Sequence, residues 1–491
     1  MRQSNISPEN TVFVILSFEG PDHYSMAGGL GVRVENLSAT LATLGFNTHL
    51  FFIGDPAFRG TEVKYRGKLT LHRWCQWISK YFPDGVYEGE EGKLYDFNES
   101  IPWFVRDRIV KPAVAEGKLV VILGEEWHTA EVMCRISDVL WADGVRDKVV
   151  MFWNANNTFS FHRINWGRLG YTTTITTVSR YMKHIMWRMG LNPLVIPNGI
   201  PRDMLNKPDD ERAYTLRKAL GAEVVLCKVA RWDPDKRWNM AIEAVARLKQ
   251  KGIKTVFLVR GGVEPHGQEV LSNARSMGLS VAEVGMEKGP SSAGYLETLQ
   301  NAPHADVMNI KFHIPLSSLQ IIYRAVDGVL ANSGHEPFGI VGLEAMAAGG
   351  IAFTGSTGED YAIPFINAFV LETANPMEIV GYVMYLREYP SEGIRMREAG
   401  RRTARYFTWE AAVQNLIGKL ENQARMQELL QGRPQLLEPQ FTLSKLPREL
   451  VEPAAAVVHI SADQQSSESQ ISPPMEATAS QGGMSSDTKR D

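Results

Sequence analysis

Short apolar runs recur along this chain, each handing over to a glycine-rich or polar loop and then to an amphipathic helix. That order restricts it to a layered α/β architecture with parallel strands. The first run, TVFVILSF at Thr11–Phe18, is short, β-branched and aromatic, as suits a strand buried on both faces. After EGPDHYSMAGG, Leu30, Val34, Leu37, Leu41 and Leu44 fall at helical spacing with Gly45 as a stop, and FNTHLFFIG reads as a second strand. Strand, loop, helix, strand is a βαβ unit, which closes right-handed onto a parallel sheet. KLVVILGEEWH and TTITTVSRYMKHIMWRMG repeat the strand-to-loop and strand-to-helix pattern.

Around PLVIPNGIP the composition turns to Pro, Asn and Gly, which places a domain junction near Ile196 to Asn206. A second series follows: EVVLCKVARW with NMAIEAVARLKQKG, then KTVFLVRGG, then GVLANSG and GIAFTGS flanking another helix. The expected organisation is one Rossmann-like domain at 1–200 and a second at 201–407. A helix at 408–430, capped by Thr408, and a tail at 431–491 complete it. Two domains suit a length of 491 residues. Residues 442–491 contain no Phe, Trp or Tyr, so the tail is expected to be disordered.

The net charge of −3, with no long basic block, argues against a nucleic-acid partner. Cys75, Cys134 and Cys227 lie far apart, which suits free thiols and gives no zinc signature. The N-terminal run lacks a basic flank and a cleavage site, and no run reaches the ~20 apolar residues of a membrane span. A cytoplasmic protein is expected; peripheral membrane contact and oligomeric state stay open.

Open parallel sheets bind ligands at the carboxyl ends of their strands, and two such domains collect two sets of ends around one cleft. The MAGGLG loop, with Gly28 and Gly29, stands where the first strand meets its helix. It is either a tight turn or a cradle for an anion such as a phosphate. In HEPFGIVGLEAMAAGG, Glu336 and Glu344 bracket a segment that otherwise wants burial. A helix starting near Pro337 or Phe338 would separate the two acids by about 12 Å, roughly the span from a hexose across a diphosphate to a ribose. The N–H groups at Phe338, Gly339 and Ile340 would then face the diphosphate, and the carboxylates would accept sugar hydroxyls. The plainer alternative is a dipole-favoured acid at the helix start and a surface acid later. Arg231 and Lys236 in VARWDPDK follow a second-domain strand, where they either neutralise a diphosphate or form a solvated loop.

Taken together, GGLG with its leucines, ARWDPDK and HEPFGIVGLEAMAAG resemble the retaining glycosyltransferases of the GT-B fold, in particular the family 4 group. There is also some similarity to bacterial glycogen and sucrose-phosphate synthases. The likeness covers roughly residues 11–430. It implies two Rossmann-like domains facing a central cleft, with 1–200 on the acceptor side and 201–407 binding the donor, a nucleoside diphosphate sugar of glucose or mannose type as co-substrate, a hydroxyl acceptor, and no metal or other cofactor. Glu336 then resembles the acid on the donor sugar, Glu344 the acid on the ribose, Arg231 and Lys236 the diphosphate pair, and Gly29 a backbone donor. GEEWHTA is similar to a motif that sets His128 beside the reacting sugar, and the last helix resembles one that crosses back to the first domain. Met26, Ala230 and Arg237 depart from the family pattern, which carries Lys, Gly and Gly there. Glucan elongation, epimerisation, phosphorolysis and a catalytically weak nucleotide-sugar binder are the alternatives. Trp74–Phe97 matches no motif; its aromatics suit either sugar stacking or ordinary packing.

Overall fold

The computed structural model describes residues 4–286 and 292–434. Most of the expected tail, from residue 435 onward, lies outside the described residues.

The first sheet comprises β1 (Thr11–Leu16), β2 (Asn47–Ile53), β3 (Thr61–Lys64), β4 (Leu69–Trp74), β5 (Leu119–Glu125), β6 (Val149–Ala155), β7 (Thr174–Thr177) and β8 (Leu194–Val195). Its order is β3-β4-β2-β1-β5-β6-β7-β8, parallel except where β3 runs against β4. The second comprises β9 (Val224–Val229), β10 (Thr255–Arg260), β11 (Val281–Val284), β12 (Val307–Ile310), β13 (Gly328–Ala331), β14 (Ala352–Thr354) and β15 (Phe369–Val370). It is parallel throughout, in the order β11-β12-β10-β9-β13-β14-β15. These are two Rossmann-like α/β domains.

All six residues of β1 are buried, as its uninterrupted apolar run requires. The helix Gly29–Thr43 buries Leu30, Val34, Leu37 and Leu41 against this sheet. Gly45 ends it at φ +96°, a left-handed backbone that glycine adopts without a side-chain clash.

The helix Trp409–Met426 is capped by the Thr408 hydroxyl, which accepts from the Ala411 N–H at 3.2 Å. It buries Trp409, Val413, Leu416 and Leu420 in one core with Phe13, Ile15, Val34 and Leu41 of the first sheet's layer. Each such side chain contributes about 1.5–3 kcal/mol. The two segments that link the domains touch each other: the Ile200 N–H donates to the Phe407 carbonyl at 2.8 Å and the Trp409 N–H to the Ile200 carbonyl at 3.2 Å.

The carboxyl ends of the two sheets meet. Beyond β7, the Arg180 N–H donates to the Asp360 carboxylate at 3.0 Å, and the Tyr181 hydroxyl is 2.5 Å from His335 Nδ1. Those partners lie in the loops after β13 and β14.

Of the aromatics in residues 74–97, some pack in the core and others face solvent. Trp74 and Phe97 pack inside, whereas Trp77, Tyr81, Tyr87 and Tyr95 stand exposed.

Candidate active site

The second domain assembles its polar groups where β9 and β13 end. The loop after β9 carries Arg231, exposed, and Lys236, which reaches across to Glu336 in the loop after β13 with Nζ to Oε1 at 3.0 Å. Two of the candidate residues thus come together as an ion pair, each still partly exposed. Beneath them Lys228 of β9 is fully buried, its Nζ donating to the Leu330 carbonyl and the Asn332 amide oxygen and lying 5.2 Å from the Trp238 ring centroid. Burial pulls the Lys228 amine down to about 7, and the Glu336 charge opposes that shift.

The helix carrying the second acid starts later than the sequence suggests. It runs Ile340–Ala347 behind Gly339, not from Pro337 or Phe338. Phe338 is buried edge-on to Tyr361, whose hydroxyl donates to the Gly339 carbonyl. Ile340 spends its N–H on the Phe338 carbonyl at 2.9 Å. The foreseen 12 Å helical rise between Glu336 and Glu344 therefore does not apply, because Pro337–Gly339 is not helical. The rigid ring of Pro337 and the packing of Phe338 set the bend. Of the helix N-terminal amides, those of Val341 and Gly342 stay unclaimed among the described residues.

Glu344 is half-buried, and its carboxylate has no hydrogen-bond partner among the described residues. Burial raises its carboxyl to about 7, with the Glu336 charge as the second cause, so the two acids sense one another. A carboxylate held this way is configured to receive hydroxyl donors.

Arg237 stands at one of the departures from the resembled pattern. It adopts φ +51°, ψ +46°, a left-handed conformation natural to the glycine that the family carries there and costing about 1–2 kcal/mol for a larger residue. Its guanidinium donates to the Thr373 carbonyl at 3.3 Å. At the Met26 position, the side chain packs beside Gly31, where a Cβ would lie 3.0 Å from Met26 Cγ.

In the first domain, the glycine loop holds an anion of the chain's own. Glu19, buried just past β1, accepts the Gly28 N–H at 2.9 Å and the Gly31 N–H at 3.0 Å on one oxygen, and the Tyr87 hydroxyl at 2.5 Å on the other. The phosphate cradle expected at Gly28 is thereby filled in part by a carboxylate, while Gly29 remains exposed with nothing within 4 Å of a built Cβ.

His128 follows β5 and is 4% exposed, stacked on Phe18 at 4.2 Å and on Trp127 at 3.8 Å between ring centroids. Its Nε2 lies 2.8 Å from Glu90, and burial keeps the ring below the ordinary histidine range, although Glu90 opposes this. That bond assigns the neutral Nε2–H tautomer and leaves Nδ1 as a buried acceptor without a partner. The imidazole edge that the sequence sets beside the sugar is committed to Glu90.

Adjacent Glu126 sits at φ +68°, ψ +168°, a region almost reserved for glycine. Its carboxylate accepts the Asn156 and Asn157 N–H groups, and burial pushes it up to about 8.

Glu19, Tyr87, Glu90, Glu126 and Lys228 escaped the sequence reading. Only Lys228, a cation inside the apolar EVVLCKV strand, and the acid pair in GEEWH carried a visible signal.

The family model described as glycosyl transferases group 1 matches residues 216–403. D-inositol 3-phosphate glycosyltransferase of Segniliparus rotundus is 22% identical over 424 residues, 80% of this chain and 84% of that protein. The same enzyme of Geodermatophilus obscurus is 26% identical over 227 residues, 46% of each, so the chain spans about half the length of that relative. Among solved structures, sucrose-phosphate synthase from Thermosynechococcus elongatus has a TM-score of 0.58 at 17% identity, covering 85% of this chain and 99% of that one. Anabaena HepE in complex with UDP-glucose has a TM-score of 0.53 at 14% identity, covering 84% and 98%. These two share the fold.

The matched segment and the two-domain architecture define an enzyme of the glycosyltransferase class with the GT-B arrangement. Within that class the second domain is similar to group 1. Among the described residues no helix is long and apolar enough to cross a membrane.

Proposed function

We propose that the protein transfers a sugar from a nucleoside diphosphate sugar to an acceptor hydroxyl, with retention of anomeric configuration and without a divalent metal. The observation that carries this reading is Glu344: an unpartnered carboxylate raised to about 7, on the helix Ile340–Ala347 and sensing the charge of Glu336, which pairs with Lys236 at the strand ends. Glu344 would accept the ribose hydroxyls, and the diphosphate would lie between Arg231, Lys236 and the Val341–Gly342 amides. Once phosphate oxygens engage Lys236, Glu336 is released to accept hydroxyls of the donor sugar. Departure of the diphosphate is then favoured by the two cations and the helix dipole, already aligned before bond breaking.

The same face of the sugar would take the acceptor oxygen, whose proton passes to the leaving phosphate. UDP-glucose is the first donor to try, because HepE was solved with it. The three buried free thiols suit a reducing compartment, and a cytoplasmic location belongs to this proposal.

The test is release of nucleoside diphosphate from a panel of nucleotide sugars, with product stereochemistry read by NMR. Turnover with retention supports the reading; absence of both donor binding and turnover across the panel removes it.

A further inference from the structure

At the ends of β1 and β5, Glu19, Tyr87, His128 and Glu90 form one cluster. Glu19 already occupies the Gly28 and Gly31 amides at the start of the fifteen-residue helix Gly29–Thr43, the place where a phosphate would otherwise dock. Its other oxygen takes the Tyr87 hydroxyl, and that hydroxyl is pushed upward by burial and by the charges of Glu19, Glu126 and Glu90. Two carboxylates, Glu19 and Glu90, thus stand in this cluster; Glu126 is buried and raised to about 8, so it carries little charge at neutral pH, and the unpartnered His128 Nδ1 is sealed from solvent.

The neighbouring cations are engaged with other groups. Arg33 is bidentate to Glu125, and Arg73 is bidentate to Asp22 and bonded to Glu62. Arg163 pairs with Glu91 over the Trp127 ring. Lys93 is buried against the Tyr24 hydroxyl and the Gly85 and Val86 carbonyls. A phosphomonoester, with about 1.5 to 2 negative charges, would meet carboxylates without a released cation. A sugar or polyol would instead find acceptors for its hydroxyl hydrogens. It would also find the exposed Tyr87 ring, which lies nearly parallel to Phe18 with centroids 6.0 Å apart.

We propose that the acceptor of this enzyme is an uncharged, hydroxyl-rich molecule, a neutral saccharide or polyol. Glu19 is the residue that excludes phosphorylated acceptors, by holding the loop amides and adding its charge. This rests on the glycosyl-transfer reading above and specifies its acceptor class.

Two measurements on the full chain test it. The first compares kcat/KM for glucose, maltose and glycerol against glucose 6-phosphate, using whichever donor turns over, in the wild type and in Glu19→Gln. The amide oxygen of Gln keeps an acceptor for Gly28 and Gly31 while removing the charge. The best neutral acceptor should exceed the phosphorylated one by about a hundredfold in the wild type, and Glu19→Gln should narrow that ratio about tenfold through KM of the phosphate ester. Equal use of both classes by the wild type, or an unchanged ratio in Glu19→Gln, overturns the proposal.

The second measurement needs no turnover. Inorganic phosphate is titrated calorimetrically into Arg231→Ala/Lys236→Ala protein, which lacks the second-domain cations, with and without Glu19→Gln. Tighter phosphate binding in the Glu19→Gln background supports the proposal; identical isotherms overturn it. If no donor is used at all, the glycosyl-transfer reading falls while this second arm still decides what Glu19 does.

Discussion

Lys236 and Glu336, from loops that follow two different strands of the second sheet, meet at 3.0 Å with 14% and 23% of their side chains exposed. In the unliganded protein the cation assigned to the diphosphate neutralises the acid assigned to the sugar. On the proposed reading, donor binding would exchange this ion pair for a Lys236–phosphate pair and for hydrogen bonds from sugar hydroxyls to Glu336, so neither group would lie buried and uncompensated.

Replacing either partner should therefore remove activity far more than stability. Lys236→Ala is expected to lower kcat by about 10²–10³-fold, the range for losing one stabilising donor at a developing negative charge. A partly exposed pair contributes only about 0–1 kcal/mol to folding. Steady-state kinetics alongside thermal melts of Lys236→Ala and Glu336→Ala check both halves; near-normal turnover in either variant contradicts the role of that residue in transfer.

Glu344 makes the protein's behaviour depend on pH in a specific direction. Its carboxyl is raised from 4.5 to about 7, so folding favours the protonated form. That contribution to stability is complete below about 4.5 and is lost as pH rises through about 7. Glu344→Gln cannot ionise, so it should gain on the wild type between pH 5 and pH 8 in urea titrations. Donor binding should run the other way, strengthening in the wild type as pH rises through 7 and staying weak and flat in Glu344→Gln.

Glu126 holds the loop after β6 through two backbone amides while tolerating a glycine-like backbone. Glu126→Ala leaves the Asn156 and Asn157 N–H groups without their acceptor, at a cost of about 1–3 kcal/mol. Glu126→Gln keeps an oxygen there and should lose less. Chemical denaturation at pH 6, where the wild-type carboxyl is still mainly protonated, compares the two directly.

Gly199 lies where the two interdomain segments cross, and a Cβ there would come within 2.4 Å of the Trp409 backbone N. Neither segment can retreat, since each is hydrogen-bonded to the other around Ile200. Gly199→Ala should destabilise by about 1–3 kcal/mol through overpacking. It should also increase hydrogen exchange in the Trp409–Met426 helix, whose seat on the first sheet begins at that contact.

Much of the architecture was legible because it rests on local periodicity. β1, the helix after the glycine loop with its Gly45 stop, and the Thr408 cap all follow from the spacing of apolar residues and from backbone preferences acting within a few positions. The later start of the Glu344 helix has both a local and a tertiary cause: Pro337 and Gly339 are poor helix formers, and Phe338 turns into the core against Tyr361, which bends the segment before Ile340.

The site divides along the same line. Arg231 and Lys236 stood out as charges after an apolar strand, and Glu336 and Glu344 as acids bracketing a segment that otherwise wants burial, because a charge next to a core needs a use. Their pairing did not, nor did the capture of the glycine-loop amides by Glu19 or the commitment of His128 to Glu90, thirty-eight positions away. Residue order alone specifies which segments become strands and helices and which chemical groups stand at their ends, since both are decided within a turn or two of chain. Which of those groups neutralise one another, and which remain available to a ligand, is decided only when distant loops are brought within about 3 Å, where hydrogen bonds form and charges are desolvated.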